Sequence, residues 1–129
     1  MRAKETLTKE IPRIQWIKFF DDFSKQHKGW IVTLEVLGPD IGDQEETAGL
    51  PLEGISADLK DRESRIEIML GGRPDAHATR IINHPKRVWL KEPEEVAHEA
   101  LDIESEDGTT TLLSFWHVPP EKTERQLPE

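Results

Sequence analysis

The sequence predicts an α+β domain: an N-terminal amphipathic helix packed on a curved antiparallel sheet, or on a small open β-barrel, of about six strands. Three observations carry that prediction. Trp16, Phe19, Phe20 and Phe23 recur at i, i+3, i+4 and i+7, the spacing of one helical face. From Trp30 onward, apolar and polar residues alternate in short runs separated by turn residues. A hairpin signal follows, two β-prone runs joined through Asp107-Gly108. No crossover helix separates the runs, so parallel βαβ units are excluded.

Residues 1–10 are charged and weakly patterned, and a mobile N-terminal segment is expected there. A single domain over residues 11–118 and a disordered polar tail over 119–129 complete the expected organisation. Pro12 suits a first helical turn. The aromatic stripe reads as core facing a sheet, with Ile17 on its flank. Lys25, His27 and Lys28 complement the negative end of the helix dipole, and Gly29 is placed for a left-handed stop.

Trp30–Leu37 alternates with Val32, Leu34 and Val36 on one face and Thr33 and Glu35 on the other, as a strand with one buried side does. Residues 38–49 hold Pro39, three glycines and the acids Asp40, Asp43, Glu45 and Glu46, a composition that predicts a long exposed loop. In Leu50–Leu59, Pro51 predicts a sheet edge, and the apolar phase switches at Gly54 as at a bulge. Arg65–Leu70, Thr79–Ile82 and Arg87–Glu92 are further strands, separated by Gly71–Asp75 and by Asn83-His84-Pro85. Glu92–Glu95 is a turn.

The hairpin Ala100–Trp116 fixes its own register. A three-residue loop, Glu106-Asp107-Gly108 with Gly108 at positive φ, sets Leu101 opposite Leu113 and Ile103 opposite Thr111. A two-residue loop would set Leu101 opposite Ser114 and break the apolar face.

Several of these landmarks stand in a recognisable order: Ile-Pro-x-x-x-Trp at 11–16, Phe-Ser-Lys-Gln-His-Lys-Gly-Trp at 23–30, Pro-Leu-Glu-Gly-Ile-Ser at 51–56, Ile-Glu-Ile-Met-Leu-Gly at 66–71 and the run from Ile103 to Leu113. Together they resemble a family of bacterial proteins catalogued only as a domain of unknown function. The resemblance spans roughly residues 10–116 and implies a bacterial single-domain protein. It brings no activity, cofactor or catalytic residue with it.

The net charge of −9 argues against nucleic acid, whose phosphates are held chiefly by Lys and Arg. The absence of cysteine excludes disulfides, thiolate catalysis and Cys-ligated metal, and fits a reducing cytoplasm. The first ten residues lack the apolar core of a signal peptide, and no run reaches the length of a membrane span. A soluble cytoplasmic protein without a membrane partner is expected.

Motifs for chemistry are sparse. His77, His84 and His98 share one stretch without the spacing of a zinc site. The acids at 40–46 lack the ladder of a calcium loop. Gly54-Ile55-Ser56-Ala57-Asp58 lacks the last glycine of a nucleophile elbow. No catalytic residue, metal or cofactor is therefore assigned. Gly71-Gly72-Arg73 reads as a turn between strands, yet Arg73, Asp75, His77 and Arg80 gather ionisable side chains in one short stretch and are the candidate small-molecule contacts. Trp89 and Trp116 fall on the non-core phase of their strands and are the candidate protein contacts. The expected function is a non-catalytic binding or assembly module, a homodimer or protein-binding chain meeting its partner through that sheet face. The alternative is a small-molecule-binding protein or enzyme with a pocket between helix and sheet, near the Gly71–Ala78 loop.

Overall fold

A computed structural model describes residues 6–39, 42–60, 63–73, 76–93 and 98–116. In chain order the strands are β1 (Thr6–Glu10), β2 (Ile31–Gly38), β3 (Gly42–Asp58), β4 (Arg65–Arg73), β5 (Ala76–Asn83), β6 (Pro85–Pro93), β7 (His98–Ser105) and β8 (Thr110–Trp116). Helix α1 (Trp16–His27) lies between β1 and β2 and is entered through a 3-10 turn at Arg13–Gln15. No helix among the described residues is long and apolar enough to cross a membrane.

All strand pairs are antiparallel, in the order β1-β6-β7-β8-β2-β3-β4-β5. The sheet is open, with β1 and β5 as its edges, so eight strands in an open sheet replace the expected six or a small barrel. α+β is the class, dominated by the sheet.

The alternating phases read from the sequence are the buried ones. Val32, Leu34 and Val36 face the core from β2, Ile66, Ile68 and Leu70 from β4, and Val88 and Leu90 from β6. Leu101 and Ile103 on β7 meet Leu113 and Thr111 on β8 in the expected register, around the expected three-residue loop with Gly108 at φ 91°. The Ser105 amide donates to Thr109 O (2.8 Å) and the Gly108 amide to Ser105 O (3.1 Å), which closes the turn. A further bond comes from the Thr109 amide to Asp107 Oδ1 (2.9 Å), and it holds the Asp107 carboxyl below its usual pKa.

Helix α1 buries Trp16, Phe20, Phe23 and His27, while Phe19 is half-buried. Ile17 is 56% exposed, and the flank it was expected to fill belongs to solvent. The Trp16 indole donates to Ile11 O (2.8 Å), and the Ile11 amide to Val88 O on β6 (2.9 Å), tying the start of the helix to the sheet. At its other end Gly29 takes φ 89°, as the sequence requires. Its amide donates to Leu52 O (3.0 Å) and the Leu52 amide to Trp30 O (2.8 Å). Ser24 Oγ both donates to Ile55 O (3.1 Å) and accepts from the Ile55 amide (2.8 Å).

Three expectations are corrected. Thr6–Glu10 is strand β1, paired with β6, where an unpatterned mobile segment was expected. Residues 42–49 are the first half of β3, paired with β2 from Gly42 opposite Gly38, where a long loop was expected. A polar composition marks solvation, and an antiparallel strand whose backbone is fully paired tolerates it. Pro51 lies in the interior strand β3, at the point where β3 leaves β2 for β4; Leu52 is the first residue with a β4 partner, so the missing proline N–H has no ladder bond to break there. The bulge expected at Gly54 appears as a register shift between Leu52 and Gly54. Residues 1–5, the turn at 94–95 and the tail at 119–129 lie outside the described residues.

Gly108→Ala must place a Cβ in the left-handed region and should cost about 1–2 kcal/mol, lowering the melting temperature by several degrees. At Gly54 φ is not positive and an added Cβ would meet only Met69 Cε at 4.0 Å, so Gly54→Ala should stay within about 1 kcal/mol of wild type. Thermal unfolding of the two variants followed by circular dichroism checks the contrast.

Candidate functional site

His27 belongs to the helical stripe that buries Phe20 and Phe23, so the fold carries an imidazole into its core at 5% exposure. A buried ring must satisfy both nitrogens. Nδ1 lies 2.9 Å from Phe23 O, an atom that only accepts, so Nδ1 carries a hydrogen. Nε2 lies 2.7 Å from Glu99 Oε1 on β7. At that distance the carboxylate is a hydrogen-bond partner, so both ring nitrogens are engaged. The imidazole also stacks on Phe23 (centroids 3.9 Å) and meets Trp30 edge-on (4.5 Å). Phe23 in turn meets Phe115 of β8 edge-on at 5.0 Å.

This pair lines a cleft of about 210 Å³ between α1 and strands β6 and β7, walled by Phe19, Phe23 and Leu90 and edged by Asp22, Gln26 and Glu99. Both ring nitrogens of His27 are engaged, so the imidazole has no free lone pair with which to take a proton from a ligand. The chemistry available in the cleft is hydrogen-bond acceptance by the two carboxylates, and both donation and acceptance by the Gln26 amide, beside aromatic side chains.

The second surface is the opposite face of the sheet. Trp89 and Trp116 both stand on it, as their phase predicts: Trp89 is half-buried and Trp116 is 44% exposed. Ile31, Leu37 and Leu112 lie on the same face, each half-buried. Four of its charges pair within the face, and Glu35 of β2, opposite Leu112, stands on it as well. Glu104 accepts from Arg87 Nη1 (3.3 Å) through one oxygen and from the Trp89 indole (3.2 Å) through the other. Asp102 Oδ2 lies 3.6 Å from Lys91 Nζ, while its Oδ1 is buried without a hydrogen-bond partner. Loss of hydration raises the Asp102 pKa, against the pull of Lys91 and with the repulsion of Glu104.

Of the candidate contacts near residue 75, the structure describes the side chains of His77 and Arg80, which take opposite phases of β5. His77 is exposed on β5, and Asp75 and the Arg73 side chain lie outside what is described. Arg80 turns inward: Nη2 donates to Thr111 Oγ1 on β8 (3.3 Å), and Nε is buried without a partner. Among the described residues, neither His77 nor Ala78 lines either of two clefts, the one at His27 and a polar one of about 260 Å³ formed by Asp58, Lys60, Glu63, Ser64, Arg65, Asn83 and His84. His84 sits at φ 54° in the corner between β5 and β6, and Ser56 is exposed on β3. Among the described residues no three His, Asp or Glu side chains group as a metal site.

Sequence reasoning placed His27 at the helix end and missed its burial. The signal was there: His27 lies four residues after Phe23 and seven after Phe20, on the apolar phase, where a polar side chain needs a partner. Nothing in the sequence around Glu99 marks it as that partner.

Residues 7–125 match the model of a family described as a family of unknown function (DUF5335). An uncharacterized protein of Aquifex aeolicus (strain VF5) is 36% identical over 106 residues, which cover 82% of this chain and 89% of that protein. No solved structure matches.

Glu99→Ala should destabilise the fold by about 1–3 kcal/mol, because it strands a buried imidazole nitrogen; urea unfolding measures this. Asp102 acts in the opposite sense. Its folded-state pKa is raised, so the native state holds the proton more tightly, and stability present at acid pH is lost as pH rises through that raised value. Asp102→Asn should therefore raise the melting temperature slightly at neutral pH, by under about 1 kcal/mol, with the advantage vanishing at acid pH where Asp102 is protonated. Paired thermal melts across pH check it.

Proposed function

The chain belongs to DUF5335, a family of unknown function, and from that premise we propose that it is a non-catalytic assembly module that pairs with a second copy of itself in the cytoplasm. The observation that carries the reading is the sheet face of β6, β7, β8 and β2: it presents Trp89, Trp116, Leu112, Leu37 and Ile31, while α1 covers the other face. Aromatic anchors set among aliphatic side chains are what interface centres are made of.

A second copy is favoured over a differently charged partner by the electrostatics of the face. A two-fold interface must be self-complementary. Here Arg87 and Lys91 are answered by Glu104 and Asp102 within the face, so these four charges need no partner from an identical surface; Glu35, opposite Leu112, is the carboxylate that pairing must leave solvated, on a chain that carries −9 as a whole. Cytoplasmic residence draws on the cysteine-free composition.

A bent sheet supports the same reading. Arg80 on β5 reaches Thr111 on β8, strands that four steps of a flat sheet would hold about 19 Å apart. A bend that brings them together turns the tryptophan face outward as a convex surface.

Light scattering on the eluting protein should give twice the 14.8 kDa chain mass. Leu112→Arg should return it to one chain with an unchanged circular dichroism spectrum, and Trp116→Ala should weaken pairing about tenfold or more. A wild-type monomer at about 100 μM, or a Leu112→Arg dimer as tight as wild type, sinks the proposal.

A further inference from the structure

We propose that pairing through the sheet face is proton-linked at Asp102: each protomer takes up one proton from solvent on this carboxylate as two copies meet, so acidification tightens the pair. Such linkage rests on the pairing proposed above and adds its regulation.

Asp102 stands in the middle of the face, on β7 between Trp89 of β6 and Leu112 of β8, its two partners in register. Cross-strand neighbours of this kind hold their Cβ atoms about 5 Å apart, so a partner surface that covers Leu112 also covers Asp102. The carboxyl enters that encounter already short of water. Its side chain is 18% exposed, and Oδ1 is buried with no hydrogen-bond partner. An ionised oxygen so placed forgoes hydration that a protonated carboxyl does not require.

The neighbouring charges do not make up the loss. Lys91 Nζ stands 3.6 Å from Oδ2 with its side chain 39% exposed, where solvent screens it. Arg87 is turned to Glu104. Glu104 lies two residues along β7, while Glu10 of β1, opposite Trp89, and Glu35 of β2, opposite Leu112, extend a row of acids across the face. Beside Asp102, β8 offers only Thr110, Leu112 and Ser114. Loss of hydration therefore holds the Asp102 pKa above the usual carboxylate value in the single chain, against the pull of Lys91 and with the repulsion of Glu104.

A second copy removes more water from the same carboxyl. Because a two-fold interface sets one patch against itself, it also brings a second Asp102 to the contact. Both changes favour the protonated form, which in addition gives a hydrogen-bond donor to a face whose other acids only accept. The pKa rises further on pairing, so the added strength of the pair is present at acid pH and is lost as pH rises through that value.

The test is the dimer dissociation constant of the full chain, from light scattering over a dilution series reaching about 100 μM, at about pH 7.5 and about pH 5.5. Acidification should tighten wild-type pairing by about tenfold or more. Asp102→Asn should pair more tightly than wild type at the higher pH and lose most of the pH dependence. His98, at the start of β7 and in register with Trp116, is an imidazole that ordinarily titrates in the same range, so His98→Gln is the control and should keep the dependence. A wild-type pair of equal strength at both pH values, a dependence that survives Asp102→Asn, or one that disappears in His98→Gln overturns proton linkage at Asp102 and leaves pairing standing. A monomer at both pH values overturns pairing itself, and the linkage with it.

Discussion

A single short helix has to help bury the apolar face of eight strands, and most of the architecture follows from that mismatch. Twelve helical residues span about 18 Å, whereas eight strands laid flat span about 34 Å between the outer two. The helix therefore concentrates its cover. Phe20 and Phe23 sit over the middle of the sheet, the ends of α1 are tied down by Trp16 to Ile11 and by Gly29 to Leu52, and Ser24 clasps Ile55 on β3. The flank of β4 and β5 lies farther along the sheet, yet Ile66, Ile68, Leu70 and Ile82 are essentially inaccessible. On the same face, Arg80 of the edge strand donates to Thr111 of β8.

Local chemistry made the centre of this fold legible. The hairpin β7–β8 specifies its register through a glycine and an alternation, both contained within seventeen residues, and the helix does so through its aromatic period and its stop at Gly29. Long-range pairing was hidden. Strand β1 is polar in sequence and is a strand because β6, nearly eighty positions away, has a free edge to offer. The acidic half of β3 reads as loop because its side chains are acidic; its strand character rests on backbone bonds to β2, which composition does not report. The step from polar composition to loop is the one that fails in both cases.

The candidate sites divide the same way. Trp89 and Trp116 were assigned to the correct face because period two is a local property of a strand. Arg80 was grouped with Arg73, Asp75 and His77 by proximity in sequence, but alternation sends it toward the core while His77 stays exposed. Its half-satisfied guanidinium closes the far end of the core beside the β7–β8 turn. His27 and Glu99 are seventy-two positions apart, and only the docking of α1 onto β7 creates the pair.

Strand β7 is where the His27 cleft and the tryptophan face share material. Its odd residues Glu99, Leu101 and Ile103 turn toward the helix, and Asp102 and Glu104 turn toward the tryptophan face. Each surface thus borrows alternate side chains from one backbone, and neither borrows the same side chain. Leu101 and Ile103, both fully buried, separate the carboxylate of the cleft from those of the outer face. A charge placed or removed on one side meets the other only through a packed apolar layer and a strand held by ladders on both edges, to β6 and to β8. Coupling between the sites would require β7 to slip or bend, and a slip of one residue would exchange its two faces altogether. The rigidity that the hairpin register imposes is therefore also what keeps the cleft and the sheet face independent of each other.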